Sequence, residues 1–312
     1  MKKPLLLALL VCSISFSFSQ TAEEYNDMAI KKTESKDYQY AMGLINKAIA
    51  LDPKNQWYYL RKAEIQFELT GPMDAIEIVR SAIAIDKKES EPYNRAGGYY
   101  SSSGMGDSAI TMYNRAIRYA ENDTMKFTYI MNRGTAKSAI RDFEGAVKDF
   151  EEVLAYNPVD IAALNNVAAC YDEVGLPNKT ILTLKKLLAL DPTFLGSYIN
   201  LGFAYSNMDS LDLAISYFNK AVELDPNEGV IYNNRGYVYY RKGDLTNALK
   251  DINYSIKLYP TNSYAYRNLG LVYIAMNKTT EACAALNYAK DSGFEQRYGP
   301  EVGELIRKHC KK

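Results

Sequence analysis

Apolar side chains recur along most of this chain at i, i+4 and i+7, the spacing of one face of an α-helix, and the periodic runs are broken by short polar or glycine-containing stretches. The pattern repeats. A small residue stands in front of the second apolar run of each unit at Ala41, Ala75, Ala109, Ala146, Thr180, Ala214, Ala248 and Ala282, in steps of 34 residues except for one of 37 between Ala109 and Ala146. Twelve residues before each lies Gly or Ala: Ala29, Ala63, Gly97, Gly134, Ala168, Gly202, Gly236 and Gly270. Four residues after each lies a large apolar side chain: Ile45, Val79, Tyr113, Phe150, Leu184, Phe218, Ile252 and Leu286. Five units then close on a proline, at Pro53, Pro158, Pro192, Pro226 and Pro260, which stops the second helix before the next unit begins. Each unit is predicted to be a helical hairpin.

The columns have a packing cause. Two antiparallel helices approach closely only where one offers Gly or Ala, and a large residue of its partner fills the groove that results. A single hairpin cannot cover its own apolar face, so hairpins stack and share a continuous core. The predicted fold class is all-α, a solenoid of about eight helix-turn-helix repeats starting near residues 22, 56, 90, 127, 161, 195, 229 and 263. The three extra residues of the long step fall around Asn122-Asp123-Thr124. They read as a slightly longer loop, or as a change of pitch dividing the array into three and five repeats.

The repeating unit resembles the tetratricopeptide repeat. Its signature of an aromatic, a Leu-Gly pair, a Tyr, then Ala, an aromatic, Ala and Pro stands here as Tyr198, Leu201-Gly202, Tyr205, Ala214, Phe218, Ala221 and Pro226. The resemblance covers roughly residues 22 to 294. Departures are mild: Lys87 replaces the closing Pro of the second repeat, the first lacks the Leu-Gly pair, and Thr180 replaces an Ala. It implies a right-handed α-solenoid whose first helices line a concave groove, with a protein or peptide as the expected partner.

The sixth position of the first helix carries Asn132, Asn166, Asn200, Asn234 and Asn268, while the three N-terminal repeats carry Asp27, Arg61 and Arg95 there. An amide offers both a donor and an acceptor, which suits it to an extended peptide backbone. The same column can instead bond locally between helices, and both readings stand. Asn165, Asn233, Tyr237, Tyr240, Phe203 and Arg267 extend the expected surface, with Glu64, Glu68, Asp172 and Glu173 interspersed. The Lys, Asn, Asn, Lys, Arg clamp by which chaperone-binding members seize a terminal carboxylate is not reproduced. A subunit of an envelope assembly and a glycan-binding solenoid are the alternative functions.

Charge removes other classes. Lys plus Arg is 37 and Asp plus Glu is 37, without a basic run, so nucleic acid is not an expected partner. Lys2 and Lys3, the apolar stretch Leu5 to Val11 and the small-x-small Ser17-Phe18-Ser19 read as a secretory signal over residues 1–19, leaving a mature chain from Gln20. Val11 before Cys12 disfavours lipidation. The expected place is the periplasm or cell surface of a Gram-negative-type bacterium, and no segment of the mature chain is apolar enough to span a bilayer.

Past the repeats (residues 20–294), residues 295–312 place Val302, Leu305, Ile306 and His309 at helical spacing and read as a capping helix. Cys310 falls on the same face, opposite Cys283 of the last repeat helix. The pair is a disulfide candidate, permissible after export, or two separate buried thiols. Cys170 reads as packing. With His309 as the sole histidine and no paired cysteine spacing, no metal, cofactor or catalytic group is expected. Asp149 with Glu151-Glu152 is expected on a solvated helix face.

Overall fold

In a computed structural model the described residues, 20–310, form helices and turns without a strand. The proposed signal segment lies outside them. Eight hairpins follow one another: α1 (Ala22–Glu34) with α2 (Tyr38–Leu51), α3 (Gln56–Thr70) with α4 (Pro72–Ile85), α5 (Glu91–Ser102) with α6 (Gly106–Tyr119), α7 (Asp123–Ala139) with α8 (Phe143–Tyr156), α9 (Ile161–Glu173) with α10 (Pro177–Leu190), α11 (Leu195–Asn207) with α12 (Leu211–Leu224), α13 (Gly229–Lys242) with α14 (Leu245–Leu258), and α15 (Ser263–Ala275) with α16 (Thr279–Asp291). Two short helices, α17 (Phe294–Tyr298) and α18 (Glu301–His309), complete the described chain. The chain divides into two compact units, one ending at Lys126 and one beginning at Phe127, so the boundary falls inside α7.

Local chemistry sets the helix ends. Thr21 opens α1 with a capping box: its hydroxyl accepts from the Glu24 amide (3.2 Å) and its own amide donates to the Glu24 carboxylate (2.8 Å). Asn55, Asp142, Asp160, Asp244 and Asn262 cap α3, α8, α9, α14 and α15 through side-chain oxygens. Every turn inside a hairpin contains one left-handed residue, a glycine at four of them and Lys36, Arg141, Asp209 or Asn277 at the other four. The three inserted residues do not form a longer loop. They extend α7 at its start to 17 residues, with the Asn122 side chain accepting from the Met125 amide (2.9 Å).

The small and large columns meet as the packing argument requires. All eight large residues are buried. A Cβ added to Gly134 would stand 2.8 Å from the Phe150 ring, and one on Gly202 would stand 2.8 Å from Phe218, distances that no packed side chain adopts. Thr180, the one departure in the Ala column, satisfies its buried hydroxyl by donating to the carbonyls of Ala168 (3.3 Å) and Leu176 (3.4 Å).

The tyrosine load also has a structural use. The hydroxyls of Tyr59, Tyr198 and Tyr232 donate to the carbonyls of Pro53, Pro192 and Pro226 at 3.2, 3.0 and 3.0 Å, six residues earlier. Tyr93 does the same to Lys87 (3.1 Å), where that proline is missing. The ring packs between helices while the hydroxyl ties down the turn joining one repeat to the next.

At the C-terminal end, Phe294 and Val302 are fully buried with Leu286 and Ala289, and Leu305 and Ile306 pack against them. The cap is therefore two helices, split at Gly299-Pro300. Cys283 and Cys310 are joined by a disulfide with Cα atoms 5.7 Å apart. Cys170 is buried and free, and burial pushes its thiol up.

Candidate functional site

In the second unit the first helices α9, α11, α13 and α15 lie side by side, each touching the next, so their outward side chains form one face. Residues three or four apart on a helix share a side, which puts Asn200, Phe203 and Asn207 of α11 in one row. Two clefts open on either side of that row. The first, about 180 Å³, lies between α9 and α11 and is lined by Ala168, Ala169, Asp172, Glu173, Asn200 and Phe203, together with Thr180 of α10. The second, about 60 Å³, is lined by Phe203, Ser206, Asn207, Asn234, Tyr237 and Tyr264. Phe203 belongs to both and is 49% exposed, the only exposed phenylalanine among the described residues.

The asparagine column does not act as a unit. Asn132 and Asn166 are half-buried on α7 and α9. Asn165 donates to the Asn166 side-chain oxygen (3.4 Å), and Asn233 donates to that of Asn234 (3.3 Å). In both pairs the neighbour occupies the carbonyl of the column residue, and the Asn166 amide nitrogen donates to the Met131 sulfur (4.0 Å). Asn200 makes no hydrogen bond within the described residues and faces the first cleft. Asn268 differs: it is 1% exposed, donates to the Asn233 oxygen (2.9 Å) and accepts from Arg267 (2.7 Å).

Three expected surface residues are thus corrected. Asn233, Asn268 and Arg267 are buried, because each closes a polar contact between neighbouring helices that would otherwise be left unsatisfied in the core. Arg267 lies over the rings of Tyr237 (5.3 Å) and Tyr264 (5.6 Å) and pairs through two nitrogens with Glu301 of the cap. Glu301 follows Arg267 by 34 residues, the repeat step, and that spacing was the available sign of the contact. A continuous chain of hydrogen bonds therefore runs from the cap through Arg267, Asn268 and Asn233 to Asn234. Tyr237 lines the second cleft and stacks on Tyr240 (6.0 Å).

Asp149 is likewise not solvated. It is 3% exposed and receives a forked pair from Arg133 (2.9 and 2.7 Å) together with Lys137 (2.8 Å). Asp251 receives the same fork from Arg235 (2.6 and 3.0 Å). Each pair joins the two helices of one hairpin, sixteen residues apart.

The electrostatics of the first cleft are one-sided. Asp172 and Glu173 end α9, where the helix dipole is negative and no basic residue occupies the last turn. Burial and the neighbouring Glu173 hold the Asp172 carboxyl above the usual aspartate value. Its side chain has no hydrogen bond or ion pair among the described residues. Glu173 has only a long contact with the largely exposed Arg141 (3.9 Å). Among the described residues no group of three or more His, Cys, Asp or Glu could hold a metal ion, and no helix is long and apolar enough to cross a membrane.

Comparison with known proteins agrees with this architecture. A family model described as tetratricopeptide repeat matches residues 195–228, and a second of the same description matches 217–250 and 252–284. The human mitochondrial import receptor subunit TOM70 is 30% identical over 107 residues, 34% of this chain and 18% of that protein. The yeast small glutamine-rich tetratricopeptide repeat-containing protein 2 is 26% identical over 133 residues, 43% of this chain and 35% of that one. The match thus spans under a fifth of the first relative's length and about a third of the second's. The crystal structure of a tetratricopeptide repeat protein from Parabacteroides merdae superposes with a TM-score of 0.62 at 16% identity, covering 94% of this chain and all of that one. With eight hairpins built on one register of small and large residues, and the family's repeats matched within them, the chain is a tetratricopeptide repeat protein with an all-α solenoid fold.

Proposed function

We propose that this protein is a non-catalytic scaffold of the cell envelope that holds an extended polypeptide across the face formed by α9, α11 and α13. The tetratricopeptide repeat fold itself supports a role in protein–protein interaction. Phe203 carries the finer reading: a large aromatic ring left half in water, between two clefts, with Asn200 and Asn234 on either side. An exposed aromatic flanked by amides offers a peptide an apolar anchor together with polar partners for its backbone. Export is supported by the lysine, apolar and small-residue pattern of residues 2–19 and by the Cys283–Cys310 bridge, which suits an oxidising compartment.

The test is to crosslink the protein in an envelope fraction, identify the captured polypeptide, and measure its affinity for variants. Asn200→Ala and Phe203→Ala are expected to weaken binding with little loss of stability. Asn268→Ala is expected to lower stability by about 1–3 kcal/mol, through the buried partners it orphans. Unchanged affinity in Phe203→Ala would sink the groove assignment.

A further inference from the structure

The cleft between α9 and α11 has a chemistry of its own. It is lined by Ala168 and Ala169, by Phe203 and Asn200, and by Asp172 and Glu173 at the end of α9. Small residues leave room there, the ring offers an apolar flank, and both formal charges are negative. Asp172 is half-buried, has no cation beside it among the described residues, and stands at the negative pole of its helix next to a second carboxylate. Three separate influences therefore make this carboxylate costly in the unoccupied protein, and one added cation would offset all of them. The upward displacement of its carboxyl agrees with an anion still lacking its counter-charge.

We propose that this cleft is a specificity pocket for a lysine or arginine side chain of the bound polypeptide. The methylene stem of such a residue lies against Ala169 and the Phe203 ring, and its charged head reaches Asp172 and Glu173. A cation beside an aromatic face gains from the ring quadrupole as well as from the carboxylates. Asn200, whose amide makes no hydrogen bond within the described residues, is placed to meet the peptide backbone next to that residue. The bound segment then reads as a basic residue followed or preceded by an apolar one seated in the second cleft by Tyr237. This inference rests on the groove reading above and adds to it a charge preference.

The experiment is affinity selection of an N-acetylated, C-amidated peptide library, randomised at every position, on the immobilised full chain. Blocked ends ensure that any charge selected belongs to a side chain. The wild type should enrich lysine or arginine at one position by about tenfold, the ratio expected for one charge-assisted contact. The double variant Asp172→Asn with Glu173→Gln should still retain peptides but lose that enrichment. Asp172→Lys should select aspartate or glutamate at the same position, and circular dichroism melts will show that each variant is folded. Peptides retained by the wild type with no basic preference, or with the same preference on the double variant, overturn the cation pocket and leave the groove standing. Retention of no peptide at all overturns both.

Discussion

In the first unit the position that carries the asparagine column is Asp27, Arg61 or Arg95, and the two arginines close onto carboxylates at the surface: Arg61 with Glu64 at 2.7 Å, and Arg95 with Glu91 at 2.7 Å and with Glu64 at 3.8 Å. In the second unit the same position carries an amide, and the forked arginine pairs have moved inward, to Asp149 and Asp251. The same backbone position thus serves two designs. Where it is arginine, the ions satisfy one another in water and leave little for a ligand. Where it is an amide, the charges lie below the surface as struts, and the groove keeps neutral donors with one uncompensated acidic rim.

Breaking a strut should expose that contrast most strongly. Asp251→Ala leaves the mostly buried Arg235 guanidinium with Asn219 (2.8 Å) and the Tyr232 ring but no counter-charge, and is expected to cost about 4 kcal/mol in a urea titration. Glu64→Ala, its counterpart in the first unit, should cost about 0.5 kcal/mol or less because the pairs it breaks are solvated. Equal losses would erase the distinction between surface ions and struts.

Next in size is the bridge. Cys283→Ser should lower stability by about 3.5 kcal/mol, the loop-closure estimate for a separation of 27 residues. Reduced wild type should match it in the same denaturant series, and the loss should be confined to the second unit.

The smallest effect carries the sharpest sign. Asp172→Asn should raise stability at neutral pH by about 0.5 kcal/mol, since it removes a charge from the wrong end of a helix. A carboxyl whose folded value is raised binds its proton more tightly in the folded state than in the unfolded one. Its presence therefore makes stability fall as pH rises from the ordinary aspartate value of about 3.9 through the raised one. Melting curves across that window should lose this component in the variant.

The hairpins were legible in the sequence because one constraint, a small residue facing a large one, repeats at a fixed step. The site was only half legible. The asparagine column falls on the first helices, whose side chains line both clefts, but periodicity cannot tell Asn200, which makes no hydrogen bond among the described residues, from Asn268, whose amide is held by Arg267 and Asn233. The difference lies in the neighbours: Ile199 leaves Asn200 unengaged, whereas Arg267 and Asn233 occupy both ends of Asn268. The struts left a trace that single columns hide. Arg at 133 and 235 coincides with Asp at 149 and 251, while the equivalent pairs elsewhere in the second unit are Val167 with Thr183, Leu201 with Tyr217 and Leu269 with Ala285. Only a comparison of two columns sixteen residues apart would have placed Asp149 inside. The inserted Asn122-Asp123-Thr124 reads as a longer loop or a change of pitch because insertions usually fall between helices, yet Asn122 can cap a helix, and the helix simply starts earlier.

The bridge between Cys283 and Cys310 has one more consequence. In an array where each hairpin is supported only by its neighbours, the final member is held from one side and would be the first to fray. Here a covalent tether and the Arg267–Glu301 clasp restrain that edge, so fraying inward from the C-terminal helices is disfavoured. Amide protons of α16 should therefore exchange as slowly as those of an interior helix, and the order in which the repeats come undone is set by oxidation state as much as by packing.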